Sequence, residues 1–100
     1  MNQTTNPDIY LSLKRALLGE IFPELLAVAY ESLSDKNFKL LFFLDQPASD
    51  EHAETISIIE TEVMADFAPD IKISHEIIST IATHLPDNAL YAYRRGTEDN

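Results

Sequence analysis

The sequence lacks cysteine and contains few glycines, and each shortage excludes a class of function. Without cysteine the chain has no disulfide scaffold and no thiolate metal site. Its two glycines, Gly19 and Gly96, are too far apart to form a glycine-rich loop around a phosphate. No stretch approaches the roughly 18 apolar residues of a membrane span, and no basic segment followed by an apolar run opens the chain. We therefore expect a water-soluble, cytoplasmic protein.

Basic residues are also scarce, and this shortage bounds the partners. The chain has 17 acidic residues against 7 Lys and Arg, which gives a formal net charge of −10. Nucleic acids and anionic membranes are not expected as partners because their phosphates would be repelled. A basic protein is the expected counterpart. With 100 residues, 45% of them hydrophobic, residues 1–100 are predicted to form a single domain, with disordered ends at 1–5 and 96–100.

The clearest feature that is present is an acidic segment. Residues 45–70 contain eight carboxylates, and no Lys or Arg occurs between residues 40 and 71. Apolar residues spaced three and four apart in this segment predict an amphipathic helix, which Ser49 caps and which ends at 68–70. Its buried stripe is Ile56, Ile59, Val63 and Phe67, and its outward acidic residues are Glu51, Glu54, Glu62 and Asp66. This acidic face either is only solvated or binds a basic partner.

A first helix and four strands are predicted in the rest of the chain. The helix begins at residues 6–8 and runs to about Leu18, with Gly19 behind it. Its predicted buried stripe is Tyr10, Leu13 and Leu17, with Ile9 and Leu18 at the margins. Strands are predicted at 25–33, at 38–45 and at 89–95. Residues 71–81 fit a strand or a helix, and their Ile and Thr content favours a strand.

Alternation within the first two predicted strands assigns their faces. In the first strand Leu26, Val28 and Tyr30 share one side, and Leu25, Ala27 and Ala29 share the other. In the second strand the residues expected to face the helices are Phe38, Leu40, Phe42 and Leu44.

The predicted order is helix, strand, strand, helix, strand, strand. It indicates an α+β two-layer sandwich in which two hairpins form a four-stranded antiparallel or mixed sheet and both helices pack on one face. The other face is then uncovered, and an apolar patch there would be an interface, for instance of a homodimer. The candidate interface residues are Leu41, Phe43, Tyr91 and Tyr93.

No catalytic or metal-binding constellation is found. The three histidines, His52, His75 and His84, lack the paired spacing of a zinc site, and His75 is expected on an apolar strand face. The acidic residues around 45–51 lack the glycine and regular oxygen spacing of a calcium loop. We assign no catalytic residue, no metal and no cofactor, and predict that the protein is not an enzyme.

Four runs carry a resemblance to a known family: RALLGEIFPEL at 15–25, FFLD at 42–45, ETEVMADF at 60–67 and YAYRR at 91–95. They are similar to small acidic bacterial proteins associated with immunity in contact-dependent growth inhibition and related polymorphic toxin systems. The resemblance implies a protein that binds and blocks a cognate toxin domain, without catalytic residues.

Resemblance and charge together predict an immunity protein whose acidic face occludes the substrate surface of a basic toxin. We expect the toxin to be a nuclease, because nucleases bind phosphates with basic residues. The predicted contact residues are Asp45, Asp50, Glu51, Glu54, Glu62, Asp66 and Asp70. The alternative is a homodimeric adaptor or regulatory module that uses the sheet face.

Overall fold

The computed structural model describes residues 6–96 and shows two helices packed on one face of a four-stranded sheet. The elements in chain order are α1 (Asn6–Leu17), β1 (Leu25–Ser34), β2 (Asn37–Leu44), α2 (Asp50–Met64), β3 (Lys72–Ser79) and β4 (Leu90–Arg94). This order confirms the predicted α+β sandwich. The prediction of disordered ends falls, apart from Gly96, on residues outside the described part.

Strands β1 and β2 form the central hairpin, which turns at Asp35 and Lys36. Alternate residues of β2 face the helices and are fully buried or nearly so, as predicted: Phe38, Leu40, Phe42 and Leu44. Both strands are apolar on both faces because each has a neighbouring strand on either side and a covering layer above and below.

The sheet order is β3-β2-β1-β4, so the prediction of a second hairpin was wrong. Strand β3 pairs in parallel with β2, and β4 pairs antiparallel with β1 at the opposite edge. The parallel pair requires a crossover, and α2 supplies it. Within β3, Ile73 and Ile77 lie beside Phe38 and Phe42 and extend the helix-side core, which explains why most of the ambiguous segment 71–81 forms a strand, at Lys72–Ser79.

A β-bulge at the start of β1 changes the predicted faces. The register shifts between Leu25 and Ala27, so that Leu26 is the extra residue. Leu25 therefore packs on the helix side with Val28, whereas Leu26 joins the opposite face. The strict alternation that we expected from Leu25 to Tyr30 was wrong for these first two residues.

The second face of the sheet is covered, which corrects the expectation of an open apolar surface. The connection from β3 to β4, with a short 3-10 helix at Ala82–His84, places Leu85 and Ala89 over it. Phe43 is only 3% exposed there, and Leu41 and Tyr91 are partly buried in the same cluster. Tyr93 lies on the helix side instead. The four predicted interface residues thus do not form one exposed patch.

The helices bury their apolar stripes against the sheet. In α2 the stripe is as predicted at Ile56, Ile59 and Val63, which are fully buried. The helix ends at Met64 and not at 68–70, so the fourth predicted stripe residue, Phe67, lies beyond the helix and packs partly buried against the core. In α1 the prediction for Tyr10 was wrong, because that ring is 37% exposed. The side chains that α1 buries are Ile9, Ser12, Leu13, Ala16 and Leu17. Within residues 6–96 no helix combines the length and apolar character that crossing a membrane requires.

Candidate partner-binding surface

The first turn of α2 is fixed by a reciprocal cap. The Ser49 hydroxyl oxygen accepts a hydrogen bond from the His52 backbone N–H at 3.1 Å, as predicted for the cap residue, and the Ser49 N–H donates to His52 Nδ1 at 3.1 Å. Histidine thus takes the place that Glu or Gln usually has in a capping box. Asp50 and Glu51 follow at the positive end of the helix dipole, where carboxylates are stabilised.

His52 also ties the segment before β1 to α2. Its Nε2 lies 3.1 Å from Oε1 of Glu24, and its ring stacks on Phe22 with 4.6 Å between ring centroids and 13° between planes. Because Nδ1 accepts from Ser49, the ring proton is on Nε2 and is donated to Glu24. Both nitrogens are satisfied in the neutral tautomer. The ring is 12% exposed, so this contact holds residues 22–24 in place.

Between this segment and α2 lies a cavity of about 410 Å³. We call it the acidic cleft. Its walls combine three carboxylates with apolar surface, contributed by Phe22, Pro23, Glu24, Glu51, Glu54 and Ile58. Ile58 is an apolar residue, yet it lies on the side of α2 that the acidic residues occupy and is 44% exposed there. The cleft is therefore both charged and apolar.

Four of the seven predicted contact residues are exposed on α2: Asp50, Glu51, Glu54 and Glu62. None of them forms a salt bridge with a basic side chain of residues 6–96. Glu51 and Glu54 line the acidic cleft, and Glu62 lies one turn beyond Ile58 on the same helix. These carboxylates form the exposed part of the predicted acidic face.

Asp66 does not point away from the protein as predicted. It lies two residues beyond the end of α2, where its Oδ2 accepts a hydrogen bond from the buried Ser12 hydroxyl at 2.6 Å and pairs with Arg15 at 2.9 Å. The Ser12 hydrogen bond, together with the Arg15 guanidinium, lowers the pKa of Asp66, although partial burial opposes this shift. Asp66 thus joins the two helices.

The remaining two predicted residues also have internal partners. Asp45 pairs with Arg95 at 3.2 Å, and Arg95 donates a second hydrogen bond to the Pro23 carbonyl oxygen. Asp70 pairs with Lys36 at 2.8 Å across the turn of the central hairpin, and this hydrogen bond lowers the pKa of Asp70. The carboxylates at the two ends of the acidic segment therefore have partners within the fold, whereas the four predicted contact residues on α2 have no basic partner in residues 6–96.

Sequence reasoning missed Phe22, Glu24 and Ile58 as parts of this surface. Phe22 and Glu24 lie outside the acidic segment, and their only signal was membership of the run 15–25 that carries the family resemblance. Ile58 had a signal that was not used: it is an apolar residue on the polar side of an amphipathic helix. Together these three residues turn an acidic helix face into a cleft.

Neither a metal centre nor a catalytic arrangement emerges from the described residues. No three His, Asp or Glu side chains in residues 6–96 are grouped so that they could hold a metal ion. His75 lies on the helix-facing side of β3, as predicted, with its Nδ1 3.1 Å from Glu60 of α2 and its ring beside Phe42. This contact connects α2 to the edge strand and has a structural role.

Comparison with known proteins agrees with this non-catalytic surface. The family model described as MafI2 immunity protein matches residues 6–95, nearly the whole chain. No curated protein matches the chain. Immunity proteins of polymorphic toxin systems were the group that the four sequence runs resembled, and the match confirms that resemblance. The chain belongs to the MafI2 immunity protein family and is a non-enzymatic protein that neutralises a cognate toxin.

Proposed function

We propose that the cognate toxin domain is basic, and that it is a nuclease whose substrate surface is covered by the acidic face of α2. The central contacts are Asp50, Glu51, Glu54 and Glu62, with Asp45, Asp66 and Asp70 at the margins. Nucleases bind phosphates through Lys and Arg, so a surface of carboxylates is complementary to the groove that holds the nucleic acid. The mechanism is occlusion, in which carboxylates take the places of the phosphates.

The observation that supports this proposal most strongly is the division among the carboxylates. Those at the ends of the acidic segment pair with Arg15, Lys36 and Arg95, whereas Glu51, Glu54 and Glu62 on α2 have no basic partner in residues 6–96. Like charges on neighbouring turns repel, so this group does not stabilise the free fold. A basic partner would supply the missing counter-charge.

The net charge adds a kinetic argument. A formal charge of −10 on 100 residues attracts a basic domain over long range and can raise its association rate by about 10- to 1000-fold at low salt. Rapid capture suits an inhibitor that must act before the toxin reaches nucleic acid. Because the nucleic acid to be protected lies in the cytoplasm, we propose that the immunity protein is located there. Delivery of the toxin by contact-dependent growth inhibition stays a prediction.

The test is charge reversal on α2, with Glu54→Lys and Glu62→Lys combined. The probe is the cognate toxin domain. We expect association to slow by at least about tenfold at low salt, its dependence on ionic strength to flatten, and protection of cells to be lost. Thermal melting should change little, because neither carboxylate has a basic partner in the described part of the chain. Asp66 is left intact because it joins the helices.

The matched control is Glu31→Lys with Asp87→Lys, which changes the net charge equally at exposed positions outside α2. Its association rate should stay within a few-fold of the parent. Equal slowing in the control would show that only total charge matters, and unchanged kinetics in the α2 variant would show that the interface lies elsewhere.

The alternative of a homodimeric adaptor that uses the sheet face receives no such support. Phe43, a member of that predicted interface that lies on the second face of the sheet, is covered by the protein's own β3–β4 connection. We therefore retain one candidate function, toxin neutralisation through the acidic face.

A further inference from the structure

The acidic cleft contains one feature that charge attraction does not explain. Ile58 is 44% exposed and lies one helical turn from Glu54 and one from Glu62. It lines the cavity together with Phe22 and Pro23. A surface that only attracts charge at a distance gains nothing from an exposed isoleucine. An apolar wall beside carboxylates fits a ligand that is apolar along its stem and cationic at its end.

We propose that the acidic cleft receives an arginine side chain of the toxin, as the anchor of the interface. This inference rests on the proposed function and adds the chemical nature of the central contact. The three methylenes of the arginine stem would pack on Ile58 and Pro23, and the guanidinium would donate to Glu51 and Glu54. Its planar group makes two parallel hydrogen bonds to a carboxylate and is weakly hydrated, whereas a lysine ammonium is strongly hydrated.

The wall opposite α2 is held in place before any partner arrives. His52 is bound on both ring nitrogens, to Ser49 and to Glu24, and it stacks on Phe22. The Glu24 main-chain carbonyl also accepts a hydrogen bond from the Asp45 N–H at 3.0 Å. Because these contacts fix the cleft, little conformational entropy is lost when the arginine binds. In such a preorganised site one buried side chain can contribute much of the binding energy.

The decisive variant changes the apolar wall and leaves every charge in place. Ile58→Asn should dissociate from the toxin domain at least about tenfold faster than the parent, with the association rate within about twofold, because steering depends on charge and residence depends on the central contact. The matched control is Met64→Asn. Met64 is a 50% exposed apolar residue of the same helix that does not line the cleft. Its association and dissociation rates should match those of the parent, and both variants should have melting temperatures close to that of the parent.

The partner residue is identified from the toxin side. Each arginine of the toxin domain is changed to lysine in turn, and one change should accelerate dissociation by about the same factor as Ile58→Asn. Combined with Ile58→Asn, that change should add much less than it does alone, because both disrupt one contact.

The outcomes separate this inference from the proposed function. If Ile58→Asn dissociates no faster than Met64→Asn while Glu54→Lys with Glu62→Lys still slows association, the anchor is overturned and the proposed function stands. If that charge reversal has no effect, both fail. If no arginine-to-lysine change reproduces the loss, the assignment of arginine is overturned.

Discussion

At the scale of single residues, acidic side chains of similar sequence context have different roles. Glu62 and Asp66 are one helical turn apart in sequence, yet Glu62 has no basic partner in residues 6–96 and Asp66 accepts hydrogen bonds from Ser12 and Arg15. The sequence predicted both on one outward face. It could not show that α2 ends at Met64, which turns Asp66 toward α1.

Asp66→Ala should therefore reduce stability, whereas Glu62→Ala should not. Removing the carboxylate leaves the Ser12 hydroxyl, which belongs to a residue only 2% exposed, without its acceptor. We expect the free energy of unfolding to fall by about 1 kcal/mol, discounted for the partial exposure of Asp66, which lowers the melting temperature by about 4–8 °C. Thermal melts of the two variants check this, and equal melting temperatures would contradict it.

The same contact sets the direction of the acid response. The pKa of Asp66 is lowered in the folded state, so its stabilising effect is fully present above the unfolded carboxyl pKa of about 4 and is lost as the pH falls through the lower folded value. Asp70 acts in the same direction through Lys36. Below about pH 4 the stability of the Asp66→Ala variant should consequently fall less steeply than that of the parent.

At the scale of elements, α2 depends on its first turn. Ser49 and His52 form a reciprocal cap there, in which the side chain of each accepts a hydrogen bond from the backbone N–H of the other. Through Glu24, this cap also positions the wall of the acidic cleft. The cap was predictable from the Ser-Asp-Glu sequence. The role of His52 was not predictable, because its contacts with Glu24 and Phe22 join residues 28 or more positions apart in the sequence.

Ser49→Ala should destabilise the protein by about 1 kcal/mol, because the His52 N–H loses its side-chain acceptor. Ser57→Ala is the matched control. Ser57 is exposed within the same helix, where alanine is favourable, so its effect should be near zero or slightly stabilising. Chemical denaturation measures both, and a Ser49 variant as stable as the control would rule out the capping role.

Strands show where sequence patterns suffice and where they fail. The alternation of Phe38 to Leu44 predicted the helix-facing side of β2 correctly, because every second residue there is fully buried or nearly so against the helices. The pairing partners of β3 and β4 are set by distant contacts and not by local pattern, so both were placed in one hairpin although they lie at opposite edges. The bulge at Leu26 likewise depends on how β2 pairs with β1.

At the scale of the whole molecule, the connection from β3 to β4 must cross the second face of the sheet because those strands lie at opposite edges. It covers Phe43 with Leu85 and Ala89. The layers and element order were predictable from the sequence, but this cover was not, since it follows from the strand order. We expect the parent protein to be a monomer in light scattering.

Leu85→Ser should uncover part of that face and promote self-association at high protein concentration, because an exposed apolar patch on a sheet favours association. The matched control is Ile81→Ser in the same connection, since Ile81 is 53% exposed. Light scattering across a concentration series should show a rising mass for the Leu85 variant alone. A monomeric Leu85 variant would contradict the covering role, and a dimeric parent would restore the sheet-face interface.

Helix α2 is at once the crossover that joins β2 to β3 and the element that presents Glu51, Glu54 and Glu62, which have no basic partner in residues 6–96. Its buried positions, Ile56, Ile59 and Val63, alternate along the chain with its exposed ones. Exposed substitutions away from specific contacts usually change stability by less than about 0.5 kcal/mol, whereas buried ones cost several times more. If α2 binds the toxin as we propose, immunity can diverge in evolution toward new toxins by changing only the exposed residues of one helix, while the inherited scaffold stays the same.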